Sequence, residues 1–191
     1  MDVWELSSFD KSPKSGKSFV EETELTRTFL KNLKQISDCE IVYLAGNHEF
    51  RLRKYLIRMA PELFDLEVMD IESILQLEDL DIEYVDIPKE ASSFQDNYIL
   101  EQNYFVGHFS LVRAASGATA KALVDKYGVN IIQNHVHRGG VFYKRTMDKT
   151  LIGIENFCLC SLNPSYIKNP NWMNGYTEII DGVAIPHHIA A

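Results

Sequence analysis

Apolar residues first recur at helical spacing between Val20 and Ile36, where Val20, Leu25, Phe29, Leu30, Leu33 and Ile36 are separated by polar positions. Acids lead this segment and lysines close it, the order a helix dipole favours, so it predicts an amphipathic helix. The run Glu40 to Ala45 is β-branched and aromatic, too short for a helix, and closed by Gly46-Asn47; it predicts a buried strand. Helical spacing returns from Phe50 to Arg58 and stops near Pro61. Residues 62 to 80 carry mixed helical signals, with a helix expected from Ile71 to Leu80. Strands follow at Ile82 to Ile87 and in a hairpin of Tyr98–Leu100 and Tyr104–Val106 about Glu101-Gln102-Asn103. Ser116 to Tyr127 reads as a second amphipathic helix and Val129 to Ile132 as a short strand. The remainder predicts strands at Val141–Tyr143, Leu151–Ile154, Phe157–Leu159, Tyr176–Ile180 and Val183–Ile185, the last two turning at Asp181-Gly182. The first eighteen residues read as a surface loop docked through Trp4 and Phe9. No repeat, low-complexity tract or linker interrupts the chain, so a single α/β domain over residues 1–191 is expected.

Composition agrees with a folded domain: 46% of the 191 residues are hydrophobic and 24% charged. The net charge of -8 disfavours non-specific attraction to nucleic acid or to an anionic membrane surface, while leaving room for a local basic patch. No apolar run reaches the roughly 20 residues of a membrane span, and the N-terminus lacks signal-peptide order, so the expected location is cytoplasmic without a membrane partner. Cys39, Cys158 and Cys160 form no CxxC pair and read as reduced thiols.

The histidines change the picture by their placement. Three β-type runs each end in a small or turn residue and then His: IVYLAGNH on His48, YFVGH on His108, and NIIQNHVH on His135 and His137. One histidine at a strand end is ordinarily a surface or core residue. Three repeats of that placement point to a shared crevice, because loops past the carboxyl ends of strands form the ligand site of open α/β sheets. His135 and His137 are two apart, so in extended backbone both would project to one side and address one ion or two adjacent ions. Imidazole suits zinc, iron, manganese and nickel, and the lack of nearby cysteine favours an open catalytic site over a closed structural one. Asn47 adds a carbonyl oxygen beside His48.

The ordered series GNHE at Gly46–Glu49, GH at Gly107-His108 and NHVHR at Asn134–Arg138 resembles the last three motifs of the calcineurin-like metallophosphoesterases. The opening DVWELSSFDKSP and the segments around Asn156–Cys160, Pro164–Tyr166 and Asn171-Trp172 look like the phage and prophage branch of that superfamily. The resemblance implies a four-layer αββα sandwich of two sheets flanked by helices. It also implies two divalent metals, manganese first, with iron, zinc or nickel accepted, bridged by an aspartate and by a hydroxide that attacks a phosphate ester. Carried over by residue, Asn47, His108 and His135 match ligands of the second metal and His137 a ligand of the first. His48 matches the catalytic histidine that protonates or stabilises the leaving-group oxygen, and Asp2 the aspartate that orients it.

Two earlier family motifs, DxH and GDxxD, are not found, so the chain is expected to begin just after the bridging ligand and to lack its N-terminal strand. One weakly held ion at the second site, with little or no hydrolysis, is then expected, because two close cations need a bridging anion. Arg51, Arg53, Lys54 and Arg58 follow GNHE; most of this cluster reads as a solvated helix face, with Arg51 and also Arg138 as phosphate-binding candidates. His187 and His188 read as surface residues, and Trp4 and Trp172 as packing at a sheet edge. The leading expectation is hydrolysis of phosphate mono- or diesters. The rival is a non-catalytic metal- or phosphate-binding remnant of the same fold, and a phage-type nuclease is a lesser third. Substrate and oligomeric state are left open by the sequence.

Overall fold

The computed structural model describes residues 1–9, 17–164 and 167–190. It is of α/β class and divides into two compact units, Met1–Gln95 and Asp96–Ala191. No described helix is long and apolar enough to cross a membrane.

The first unit starts with a 3₁₀ turn, Trp4–Leu6; Trp4 and the preceding Val3 are buried, so the segment docks through Trp4 as expected, whereas Phe9 is exposed. Asp10 to Gly16, inside the expected loop, and Ser165-Tyr166 lie outside the described residues. Helix α1 spans Phe19–Ile36 and begins in a capping box: the Ser18 hydroxyl accepts from the Glu21 amide while the Glu21 carboxylate accepts from the Ser18 amide. Its buried positions are Thr23 and Leu30, whereas Val20, Leu25, Phe29 and Ile36 are exposed. The periodicity located the helix without locating its buried side, because the helix carries apolar residues on more than one face. Strand β1, Ile41–Leu44, leads into α2, Glu49–Met59, which ends where Pro61 cannot continue it. The helix expected from Ile71 to Leu80 is broken. A short α3, Ile71–Leu75, ends at Gln76 with φ 56°, and a 3₁₀ turn, Glu78–Leu80, ends at Asp81 with φ 52°. Strand β2, Ile82–Val85, then pairs in parallel with β1. Leu30, Leu52, Leu56, Ile71, Leu75, Leu77 and Ile82 form the core.

The second unit is built on a five-stranded mixed sheet of order β3-β4-β5-β7-β6. Strands β3, Asn97–Glu101, and β4, Tyr104–His108, form the expected hairpin. Its two-residue turn, Gln102-Asn103, has positive φ at both positions, as a type I′ turn requires. Helix α4, Ala118–Tyr127, carries the chain to β5, Asn130–Gln133, parallel to β4. Strands β6, Gly139–Arg145, and β7, Thr150–Asn156, are longer than their apolar cores suggested. The strand expected at Phe157–Leu159 is only an isolated bridge between Cys158 and Asn174, since Phe157 has φ 56°. A final hairpin joins β8, Gly175–Ile180, to β9, Val183–His188. His187 thus lies within a strand, its Nε2 3.1 Å from a Glu178 carboxylate oxygen.

Neighbouring residues of β5 divide this unit into layers. Ile131 packs with Leu123 and Val124 of α4 on one face, and Ile132 packs with Ile154, Tyr104 and Ala184 of the hairpin on the other. Asp96 fastens the loop after β4 to α4: it accepts from the Ser110 amide at 2.8 Å, the Ser110 hydroxyl at 2.6 Å and the Tyr127 hydroxyl at 3.1 Å. Partial burial pushes its carboxyl up, but the Ser110 bonds, the Tyr127 bond and the Lys126 ammonium outweigh that and hold it below the ordinary value. A depressed folded pKa means that the unfolded chain binds the proton more tightly, so the contribution is full above an unfolded value of about 3.9 and is lost as pH falls through the folded one. Asp96→Ala is therefore expected to cost about 1 kcal/mol at pH 7, solvent screening included, and progressively less near pH 3. Urea denaturation of both proteins at the two pH values checks this.

Candidate functional site

In the first unit, the Gly46-Asn47-His48-Glu49 turn joins β1 to α2. Glu49 clamps the turn: one carboxylate oxygen accepts from the Gly46 amide at 2.9 Å and the other from the Tyr43 hydroxyl at 2.8 Å. The sequence reading gave Glu49 no separate role, although an acid three residues after the turn's first residue has capping-box spacing. His48 stands at the helix start, with Nδ1 3.1 Å from Asp2 Oδ1. Arg51 lies one turn along α2 and closes the cluster, its Nη1 donating to Asp2 Oδ1 at 3.0 Å and its Nη2 lying 3.0 Å from His48 Nε2. Asp2, His48 and Arg51 are thus brought together as one unit.

These contacts fix the proton arrangement. A guanidinium can only donate, so His48 Nε2 accepts from Arg51 and Nδ1–H donates to Asp2, giving a neutral ring with its lone pair turned to Arg51. The His48 hydrogen bond is the largest influence on the Asp2 carboxyl; partial burial opposes it, and the charge and hydrogen bond of Arg51 help hold the carboxyl below its usual range.

In the second unit, His108 ends β4 and His135 follows β5. Their rings meet edge to face, His135 Nδ1 lying 2.6 Å from His108 Nε2. Two features of the chain bring the pair together. Gly107 lets β3 approach, since a Cβ there would come within 2.6 Å of the Asn97 carbonyl oxygen and of Tyr98. Asn134 ties strand ends, donating to the Gly107 carbonyl from its amide at 2.9 Å and accepting from Asn156 Nδ2 at 2.7 Å. Gln133, fully buried, accepts from the His135 amide at 3.1 Å.

The extended backbone expected across His135 and His137 is interrupted. His137 has φ 59°, its carbonyl accepts from the Met173 amide at 3.0 Å, and its ring centroid lies 4.5 Å from that of Trp172. Trp172, expected at a sheet edge, is therefore a neighbour of a candidate ligand. Among the described residues, no group of three or more His, Cys, Asp or Glu side chains gathers as a metal cage. The donor set displayed in this unit is the His108–His135 pair. Two nitrogens on one ion, each about 2.0–2.1 Å from it, lie roughly 3 Å apart at right-angled coordination. The pair fits such a chelate after opening by a few tenths of an ångström.

Arg138, expected to reach a substrate phosphate, is turned inward and only 9% exposed. Its guanidinium donates to the carbonyls of Ala114, at 2.5 Å, and Arg113, and its Nε lies 3.6 Å from Glu155 Oε2. Glu155 is fully buried and accepts from the Thr119 and Ala120 amides at the start of α4, at 2.9 and 3.4 Å. Glu155 was not singled out from the sequence, because an acid within an apolar strand run has no local marker of its partner.

No family model, no curated protein and no solved structure matches the chain.

Proposed function

We propose that this chain is a metal-dependent phosphoesterase of the calcineurin-like type, acting on phosphate mono- or diesters. The observation that carries the reading is the Asp2–His48–Arg51 cluster, in which a carboxylate 46 positions away in sequence holds the Nδ1 side of the histidine carried over as catalytic. His48 serves as the proton carrier at the leaving-group oxygen, Asp2 orients it, and Arg51 alternates between His48 and the substrate phosphate. His108 and His135 of the second unit are the side chains that would hold a divalent ion, with His137 of the same unit a further ligand of the resemblance. When bound, such an ion supplies Lewis acidity and lowers the pKa of water. The helix, mixed sheet and hairpin layers of the second unit support the αββα class as part of the same reading.

A second reading, a non-catalytic metal- or phosphate-binding protein, is favoured by the absence of a three-ligand cage among the described residues. Calorimetric titration with manganese tests the metal assignment. One weak site is expected, and His135→Ala should weaken it by about tenfold or more. Two tight sites, or binding unchanged by His135→Ala, would overturn the ligand assignment. Manganese binding without any turnover of bis-p-nitrophenyl phosphate would establish the second reading.

A further inference from the structure

The first unit contains a cavity of about 510 Å³, a volume in the range of small-molecule sites, beside Asn47 and Arg51. Its wall along α2 carries Arg51, Lys54 and Arg58, and no acid is among the described residues that line it, in a chain whose net charge is -8. These positions are spaced by three, four and seven residues, so they lie on one helix face along roughly 10 Å of axis at 1.5 Å per residue. No described carboxylate pairs with Lys54 or Arg58, whereas neighbouring Arg53, which does not line the cavity, is engaged by Asp86. A solvated helix face has no need of a concave wall. Three cations in a row, with no acid among the described lining residues, suit a polyanion of similar length.

Part of the remaining wall is aromatic, beside serine and aliphatic side chains. Phe9 stacks on Trp4 with ring centroids 5.8 Å apart and lies under the Arg51 guanidinium, and Phe50 is held edge-on to Phe94. Tyr55 lines the same space. Aromatic faces beside cations recognise a heteroaromatic base joined to phosphate, through stacking and charge-assisted hydrogen bonds.

We infer that this cavity binds a nucleoside polyphosphate, its phosphates along Arg51, Lys54 and Arg58 and its base against the aromatic wall. The inference deepens the phosphoesterase reading, on which it rests for placing the phosphate nearest Arg51 at the reacting end. Affinity therefore depends on the number of phosphates as well as on the base.

The test is equilibrium binding of adenosine, AMP, ADP, ATP and tripolyphosphate in EDTA, so that no hydrolysis intervenes. Affinity should rise from AMP to ATP by about tenfold or more, and ATP should exceed tripolyphosphate. The K54Q/R58Q variant should lose most of the gain from AMP to ATP, and F9A should lose the advantage of ATP over tripolyphosphate. Circular dichroism of both variants confirms that they are folded. Equal affinity for AMP and ATP, or an unchanged gain in K54Q/R58Q, would overturn the proposal. A ten-nucleotide single strand binding tighter than ATP by more than about tenfold would replace it with a strand-binding groove. Hydrolysis of bis-p-nitrophenyl phosphate, measured separately with manganese, reports on the phosphoesterase reading alone; its absence leaves the EDTA binding series to decide the polyphosphate site.

Discussion

Replacing His48 with alanine is expected to lower manganese-dependent turnover of bis-p-nitrophenyl phosphate by about 10²- to 10⁴-fold, the range of a positioned acid–base group. KM should change little, because the imidazole acts on the leaving oxygen as the bond breaks and adds little to ground-state binding. Asp2→Asn keeps an oxygen near Nδ1 but removes the charge that stabilises a protonated ring, so a smaller fall in kcat is expected. Arg51→Gln should separate from both. Arg51 contacts Nε2 in the resting arrangement, at 3.0 Å, and leaves it for the phosphate in the proposed cycle, so its loss should raise KM as well as reduce kcat. Steady-state kinetics of the three variants distinguishes these roles. Equal activity of wild type and His48→Ala would remove the catalytic assignment.

The second large effect concerns stability. Arg138 and Glu155 are almost wholly withdrawn from solvent, and the pair closes α4 onto the end of β7 through the Thr119 and Ala120 amides. Removing one partner leaves an uncompensated buried charge, so Glu155→Ala is expected to destabilise the protein by about 3–5 kcal/mol. At about 4–8 °C per kcal/mol for a unit of this size, the melting temperature should fall by roughly 12 °C or more. The double variant Arg138→Met/Glu155→Gln should recover much of that loss, because it buries no unpaired charge. Had Arg138 been a phosphate-binding arm in solvent, Arg138→Ala would raise KM and leave the melting curve in place. Differential scanning calorimetry of the two single variants and the double variant decides between these outcomes.

The contrast between His48 and Arg138 shows which parts of the site were legible in the chain. The three histidine-bearing strand ends could be read because each is local: an apolar run, a turn residue and a histidine within eight positions. Gly107 before His108 belongs to the same local signal, since the space it leaves is filled by the adjacent strand of its own hairpin. Arg138 was misread because its neighbours in sequence, histidines and glycines, resemble those of a loop, whereas its partners lie at residues 113, 114 and 155. His137 was expected to project with His135, and its left-handed backbone, held by Met173 and Trp172, is set by a segment more than thirty residues downstream. Likewise, the apolar spacing of α1 marked a helix without saying which stripe would be covered, because burial depends on what the rest of the unit places beside it.

Hydrophobic periodicity, turn residues and proline by themselves determined most of the order of helices and strands, the hairpin turns and the placement of His48, His108 and His135 at or past strand ends, since all of these depend on interactions across a few residues; the break after Leu75 and the loss of a strand at Phe157–Leu159 are the exceptions. The tertiary structure alone decided that Asp2 and Arg51 enclose His48, that His108 meets His135 and not His137, and that Glu155 draws Arg138 inward. Those contacts close loops of up to tens of residues, and their energy comes from desolvated partners that no local pattern can name.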